Sequence, residues 1–188
     1  AICVCFSGLV YSQEPGQIAL QDFEKLIEPE TLNQVRVLNE QFKQYFDLGQ
    51  EYIDGSDEVK KELLKKWITD ARRESDTEKL NAIAALGNAE VEEAAGVLTS
   101  IVNGANETSQ TRWLALRGLV VIGEPKAVPL MIRLLKDEDP NITVYAKYGL
   151  AKLTKVYFGD DQQKWIEWFK ENKIRVVELS QQAIGKWK

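Results

Sequence analysis

The feature that most constrains this chain is internal repetition. Residues 80–87, LNAIAALG, align with residues 116–123, LRGLVVIG, at an offset of 36. That register sets Ala82 against Gly118, Ile83 against Leu119, Leu86 against Ile122 and Gly87 against Gly123. Residues 115–122, ALRGLVVI, align with 146–153, AKYGLAKL, at an offset of 31, pairing Ala115 with Ala146, Gly118 with Gly149 and Ile122 with Leu153. Repetition on this scale implies stacked supersecondary units, none of which can bury its apolar face alone. Each unit predicts a first helix with a small residue at 82, 118 or 149, where neighbouring helices approach closely. A break follows, then a second apolar helix over 91–102, 127–135 or 162–172, with Pro125 placed in a first helical turn, where a missing N–H is tolerated.

The segment before the repeats, 13–75, has a different texture. Leu20, Phe23, Leu26 and Ile27 are spaced for one helical face, and Pro29 breaks the run. Thr31 is suited to cap a second helix, and Leu32, Val35, Leu38, Phe42, Tyr45, Phe46 and Tyr52 keep the helical period to its end. Ser56 then offers an N-cap for a third helix through Val59, Leu63, Leu64, Trp67 and Ile68. No stretch alternates with the period of a strand between turn signals. The expected class is all-α: two or three longer helices, then about three helical hairpins over 76–172 and a tail, 173–188, left unassigned.

Residues 1–17 carry no charge before Glu14, and their apolar run is shorter than the roughly 20 residues that span a bilayer. With Val10 and Ser12 as the small residues ahead of a cut near Gln13, residues 1–12 read as the remnant of a secretory signal. The expected location is therefore exported, whether periplasmic, cell-envelope or secreted, with no membrane span in the mature chain. Both cysteines, Cys3 and Cys5, fall in that leader, and the chain has no histidine. Imidazole- or thiolate-based catalysis, zinc sites and haem ligation have no residues to use in a mature chain. The expectation is no metal, no cofactor and no catalytic residue.

Charge is unevenly spread. Residues 14–58 hold 11 acidic and 3 basic side chains, and residues 59–188 hold 18 acidic and 21 basic. That mild basic excess falls short of the stripe nucleic acid demands, so no nucleic-acid partner is expected. Five cations nevertheless cluster within one unit, Arg112, Arg117, Lys126, Arg133 and Lys136, and form the candidate binding surface.

The pattern resembles HEAT repeats, in particular the HEAT-like units of exported bacterial proteins. The resemblance rests on AALG at 84–87, ALRGLVVIG at 115–123 with AVPLMIRLLKD at 127–137, and AKYGLAKLT at 146–154. It implies a right-handed α-α superhelix of helical hairpins. The first unit departs from the family in lacking the Arg that commonly precedes the small residue, and the last has a longer join.

Two stretches invite a chemical reading. Asp137, Asp139 and Asn141 match the first three ligand positions of a calcium loop, but Ile142 and Tyr148 stand where its Gly and bidentate Glu belong. An inter-repeat turn, with Asp139 or Asn141 capping the next helix, is expected instead. The run FGDDQQKWIEWFKEN at 158–172 sets paired carboxylates beside paired indoles. With Asp160 as N-cap and Gln163 completing a capping box, the carboxylates serve the helix end. Trp165, Trp168 and Phe169 fall within about 100° on the wheel and seal the last repeat. A glycosidase needs carboxylates that converge across a bond, and neighbours at a helix start diverge. The sequence thus points to a non-enzymatic scaffold for a protein or peptide partner. The alternative is a carbohydrate-binding or carboxylate-dependent hydrolytic domain of the cell envelope, which requires Trp165 or Trp168 to be exposed beside a carboxylate.

Overall fold

In the computed structural model, residues 23–74 and 77–184 are described, and among them the chain is all-α. The leader and the expected cut near Gln13 lie outside the described residues. No helix among the described residues is long and apolar enough to cross a membrane.

A single 3-10 turn, Phe23–Leu26, stands where the first amphipathic face was expected. Helix α1, Pro29–Gln41, starts three residues earlier than a Thr31 cap would set it: Pro29 opens it after Glu28, and Thr31 is buried inside its first turn. The long second helix is divided. After a 3-10 turn, Lys43–Tyr45, the chain reaches Gly49 at φ 100°, a left-handed conformation that only glycine adopts freely, and the short α2, Gln50–Asp54, resumes beyond it. Gly49 has a second reason to be glycine, because an added Cβ would lie 2.8 Å from the Ala85 carbonyl oxygen. Helix α3, Asp57–Asp70, is capped as expected by Ser56, whose hydroxyl accepts from the Val59 N–H.

Residues 77–184 form α4 (Thr77–Asn88), α5 (Ala95–Val102), α6 (Ser109–Ile122), α7 (Ala127–Leu134), α8 (Pro140–Thr154) and α9 (Gln162–Ile184). Helices α4, α6 and α8 pack side by side as a row. Behind it α5 packs on α6, α7 on α8, and α9 on both α7 and α8. The row is close because its contacts are small: a Cβ on Gly87 would stand 2.5 Å from the Gly118 Cα, and one on Gly149 would meet Val120 and Met131. Gly87 is therefore a helix-crossing residue rather than the terminator its alignment with Gly123 suggests. The left-handed residues that follow the three first helices are Glu90, Gly123 and Lys155, which are almost evenly spaced. The structural register thus differs from offsets of 36 and 31, since matching glycine to glycine equates a crossing with a cap. Pro125 sits in the turn ahead of α7, and the 162–172 helix continues through Asn172, where φ/ψ depart from helical values, to Ile184.

The N-terminal segment does not stand apart. Val35, Leu38, Phe42, Tyr45 and Trp67 belong to the same buried core as the repeats. From Ile27 on Ala151, α1 lies along α8. Phe42 then stacks on Trp113 of α6 at 4.7 Å between ring centroids. The Asn88 amide at the end of α4 donates to the Tyr45 and Leu48 carbonyls at 2.7 and 3.0 Å. The segment thus touches all three first helices, and α3 closes the row against α4.

Candidate interaction surface

The five cations separate into two populations. Arg112, in the first turn of α6, turns inward: Nη1 donates to Asp137 Oδ1 at 3.1 Å, Nη2 to Oδ2, and Nε to the Val102 carbonyl at 2.9 Å. Burial alone would raise the Asp137 carboxyl, but hydrogen bonds from Arg112 and the Asp139 N–H outweigh it and hold the group below the ordinary carboxylate value. The fork geometry is bidentate, the strongest form of such a pair. Its counterpart one unit earlier is Lys79 of α4, whose ammonium meets Glu107 at 2.6 Å. Both pairs tie the start of a first helix to the turn that leads into or out of the next.

Arg117 also turns inward, toward the N-terminal segment. Its guanidinium lies 4.0 Å from the centroid of the Phe46 ring, and Nη1 donates to Asn88 Oδ1 at 2.6 Å. Burial pushes its pKa down.

Lys126, Arg133 and Lys136 face outward. Together with exposed Pro129 they form one stripe on the outer side of α7, from its N-cap to just past its C-terminus. The backbone fixes the stripe rather than side-chain pairing: the Lys126 N–H donates to Glu124 Oε1 at 2.8 Å. Arg133 reaches the amide oxygen of Asn103, leaving the rest of its fork toward solvent. On the flanks, α5 exposes uncharged Gly96 and Ser100, and α9 exposes alternating Lys164, Glu167, Lys170 and Glu171. The candidate surface is thus three of the five residues. Arg112 and Arg117 drop out because each spends its donors inside the fold. Lys136 also borders a groove of about 720 Å³ between α1 and α8, whose other charged walls include Glu28, Glu138, Lys147 and Asp160.

The run at 158–172 closes the opposite end. The cap of α9 is Asp161, not Asp160: its carboxylate accepts from the Lys164 N–H at 3.0 Å and pairs with the Lys164 ammonium at the same distance. Those bonds, led by the backbone one, hold its carboxyl below the ordinary value. Asp160 reaches back to Lys147 of α8 at 3.2 Å, and Gln163 donates forward to Glu167 rather than back to the cap, so no capping box forms. Gly159, at φ 54°, turns the chain so that the helix begins one residue later than sequence spacing suggests. Trp165 is 0% exposed, with its indole N–H on the Gly159 carbonyl at 3.1 Å and the Phe158 ring edge-on at 4.9 Å. Trp168 and Phe169 are half-buried against the same core. Asp137 spends both oxygens on Arg112, and Asp139 caps α8 through the Asn141 N–H at 2.9 Å.

Sequence reasoning missed two polar residues. Asn88 joins α4, α6 and the N-terminal segment through three hydrogen bonds. Lys152 lies mostly buried on α8, and burial lowers its pKa, followed by the neighbouring charge of Arg117. Its signal was present: it sits four residues after Tyr148 and seven after Tyr145, on an apolar stripe.

No family model matches this chain, and no curated protein and no solved structure matches it.

Proposed function

We propose that this chain is an exported, non-enzymatic scaffold of HEAT-like hairpins, wound as a right-handed superhelix, that holds a protein or peptide partner on the outer face of α7. The observation that carries the reading is the stripe Lys126, Arg133 and Lys136, solvent-facing on a helix whose inner face is fully committed to the core. Three cations at helical spacing suit an acidic segment of a partner, and their attraction would act chiefly on the rate of encounter. The first-helix row offers no such face, since the N-terminal segment lies across it.

The carbohydrate or hydrolytic alternative draws less support. Trp165 is enclosed, Trp168 leans edge-on against it at 6.4 Å, and Asp160 and Asp161 are engaged with lysines of α8 and α9. Crosslinking mass spectrometry in the native compartment tests the proposal. It expects repeated crosslinks from Lys126 and Lys136 to one protein. A chain that crosslinks reproducibly to nothing, or only through the far side of the molecule, would sink it.

A further inference from the structure

Among the described residues three large apolar side chains stay exposed, and two of them, Ile53 and Val59, flank the corner where α2 ends and α3 begins. The corner is tight. A Cβ on Gly55 would lie 2.9 Å from Val59 Cγ1, and Ser56 caps α3 by accepting from the Val59 N–H. Ile53 is 52% exposed and Val59 46%, so neither is spent on the chain's own core. Around them stand Glu51, Asp54, Asp57 and Glu58, all exposed, with no cation between residues 50 and 59. Asp54 accepts from the Gln50 amide and Glu58 from the Ser56 hydroxyl, both neutral donors, and none of the four acids forms an ion pair among the described residues. An exposed apolar pair rimmed by charge of one sign is the form of a docking surface.

We infer that this acidic corner is the counterpart of the α7 stripe, and that the partner held on α7 is a second copy of this chain. The inference rests on the reading of the α7 face given above and names its occupant from charge complementarity. Lys126, Arg133 and Lys136 fall within about 80° of one another around α7, with exposed Pro129 among them and no acid from 127 to 135. Against them the corner sets four carboxylates around Ile53 and Val59. Cation then meets carboxylate at the rim, and Pro129 meets the two apolar side chains at the centre. Within one chain the surfaces stay apart: α3 packs on α2 and α4, α7 packs on α8 and α9, and no ion pair among the described residues joins the two. One copy's α7 therefore meets another copy's corner. Such a contact is heterologous, and it repeats head to tail into a chain or a ring of copies. The net charge of −5 on every copy opposes their approach in any other register.

The test is sedimentation equilibrium of the full chain over a series of concentrations. The parent should exceed the mass of one chain as concentration rises, with a Kd on the order of tens of micromolar. A stripe variant, Lys126→Glu with Arg133→Glu and Lys136→Glu, and a corner variant, Glu51→Lys with Asp54→Lys and Glu58→Lys, should each weaken association at least about tenfold. Mixing the two variants should restore it, because the reversed stripe of one then faces the reversed corner of the other. Asp57 is kept to support the start of α3. A control, Arg36→Glu with Arg72→Glu and Lys170→Glu, shifts net charge as far as the stripe variant does but lies outside both surfaces, and it should associate like the parent. If the corner variant loses its fold by circular dichroism, crosslinks between isotopically mixed parent copies, from Lys126 or Lys136 to Lys60 or Lys61, report the same contact. The inference is overturned if the parent stays monomeric up to about 1 mM, if the control loses association as the stripe variant does, if the two folded variants stay monomeric when mixed, or if those crosslinks are absent. A monomeric parent whose α7 face still crosslinks to a different protein in the native compartment overturns this inference alone and leaves the scaffold reading standing.

Discussion

The row α4–α6–α8 and the outer face of α7 use similar residues to opposite ends. In the row, two glycines let backbones touch, and an arginine in the first turn of α6 is locked to an aspartate of the next turn. On α7 the same charge type stands clear of the core, and the packing residues Val128, Met131, Ile132 and Leu135 point the other way. The difference teaches that a cation's role in a stacked-hairpin chain follows from which helix of the hairpin carries it. First helices are flanked by neighbours on several faces, and cations such as Arg112 and Arg117 find their partners inside the fold. A second helix at the back keeps one face for solvent.

The contrast can be broken most severely at Trp113, which touches both the row and the N-terminal segment. Its ring is 1% exposed, stacked on Phe42 and edge-on to Tyr145 at 5.3 Å. Trp113→Ala should cost about 4 kcal/mol, read by denaturant unfolding, and should speed amide exchange in α1 as well as α6. A loss confined to α6 would mean that the N-terminal segment is held independently. Part of the cost is offset because the buried Trp113 indole N–H finds no acceptor.

Gly87→Ala tests the row alone. The new methyl would press on the Gly118 backbone, which cannot swing aside as a side chain can, so a loss of about 3 kcal/mol is expected from thermal or chemical unfolding. Gly96→Ala on exposed α5, where a Cβ meets nothing within 4 Å, is the matched control. It should stabilise by about 0.5–1 kcal/mol.

Arg112→Ala should cost about 2 kcal/mol, by losing three hydrogen bonds and leaving Asp137 with fewer partners. The same pair has a pH signature. Asp137 titrates lower in the folded chain than its ordinary value of 3.8, so its stabilisation is complete above that pH and is lost as the pH falls below it, through the folded value. Asp137→Asn should therefore lower stability at neutral pH and flatten the acid limb of the stability profile. At the weak end, Arg133→Glu should shift stability by no more than about 0.5 kcal/mol, because its partner among the described residues is an exposed amide.

Much of this contrast was legible in the residues. The second-helix positions 91–102 and 127–135 correspond closely to α5 with its leading 3-10 turn (Glu92–Ala94) and to α7, because long apolar runs with Gly and Pro punctuation leave few alternatives. The Ser56 cap and the Asp139 cap were readable from local chemistry. Three things were hidden for one shared reason, that each depends on a neighbour distant in sequence. Gly87 looked like a terminator until Gly118 came against it. Arg112 and Arg117 looked like members of the same patch as Lys126, Arg133 and Lys136 until Asp137 and Asn88 claimed them. Asp161 rather than Asp160 caps α9 because Gly159 sets the start of that helix. Trp165 turns inward and is buried, on the side the helical wheel assigns to the apolar stripe.

The most direct measurement is partner retention by a triple charge reversal, Lys126→Glu, Arg133→Glu and Lys136→Glu, compared with the unmodified chain in co-purification from the native compartment. The three positions lie on an exposed stripe, so the variant should unfold at nearly the same temperature as the parent while losing its partner, and the loss should be restored in part by lowering the salt for the single Arg133→Glu variant. A triple variant that keeps its partner undiminished, with its unfolding temperature unchanged, would contradict the assignment of the α7 face.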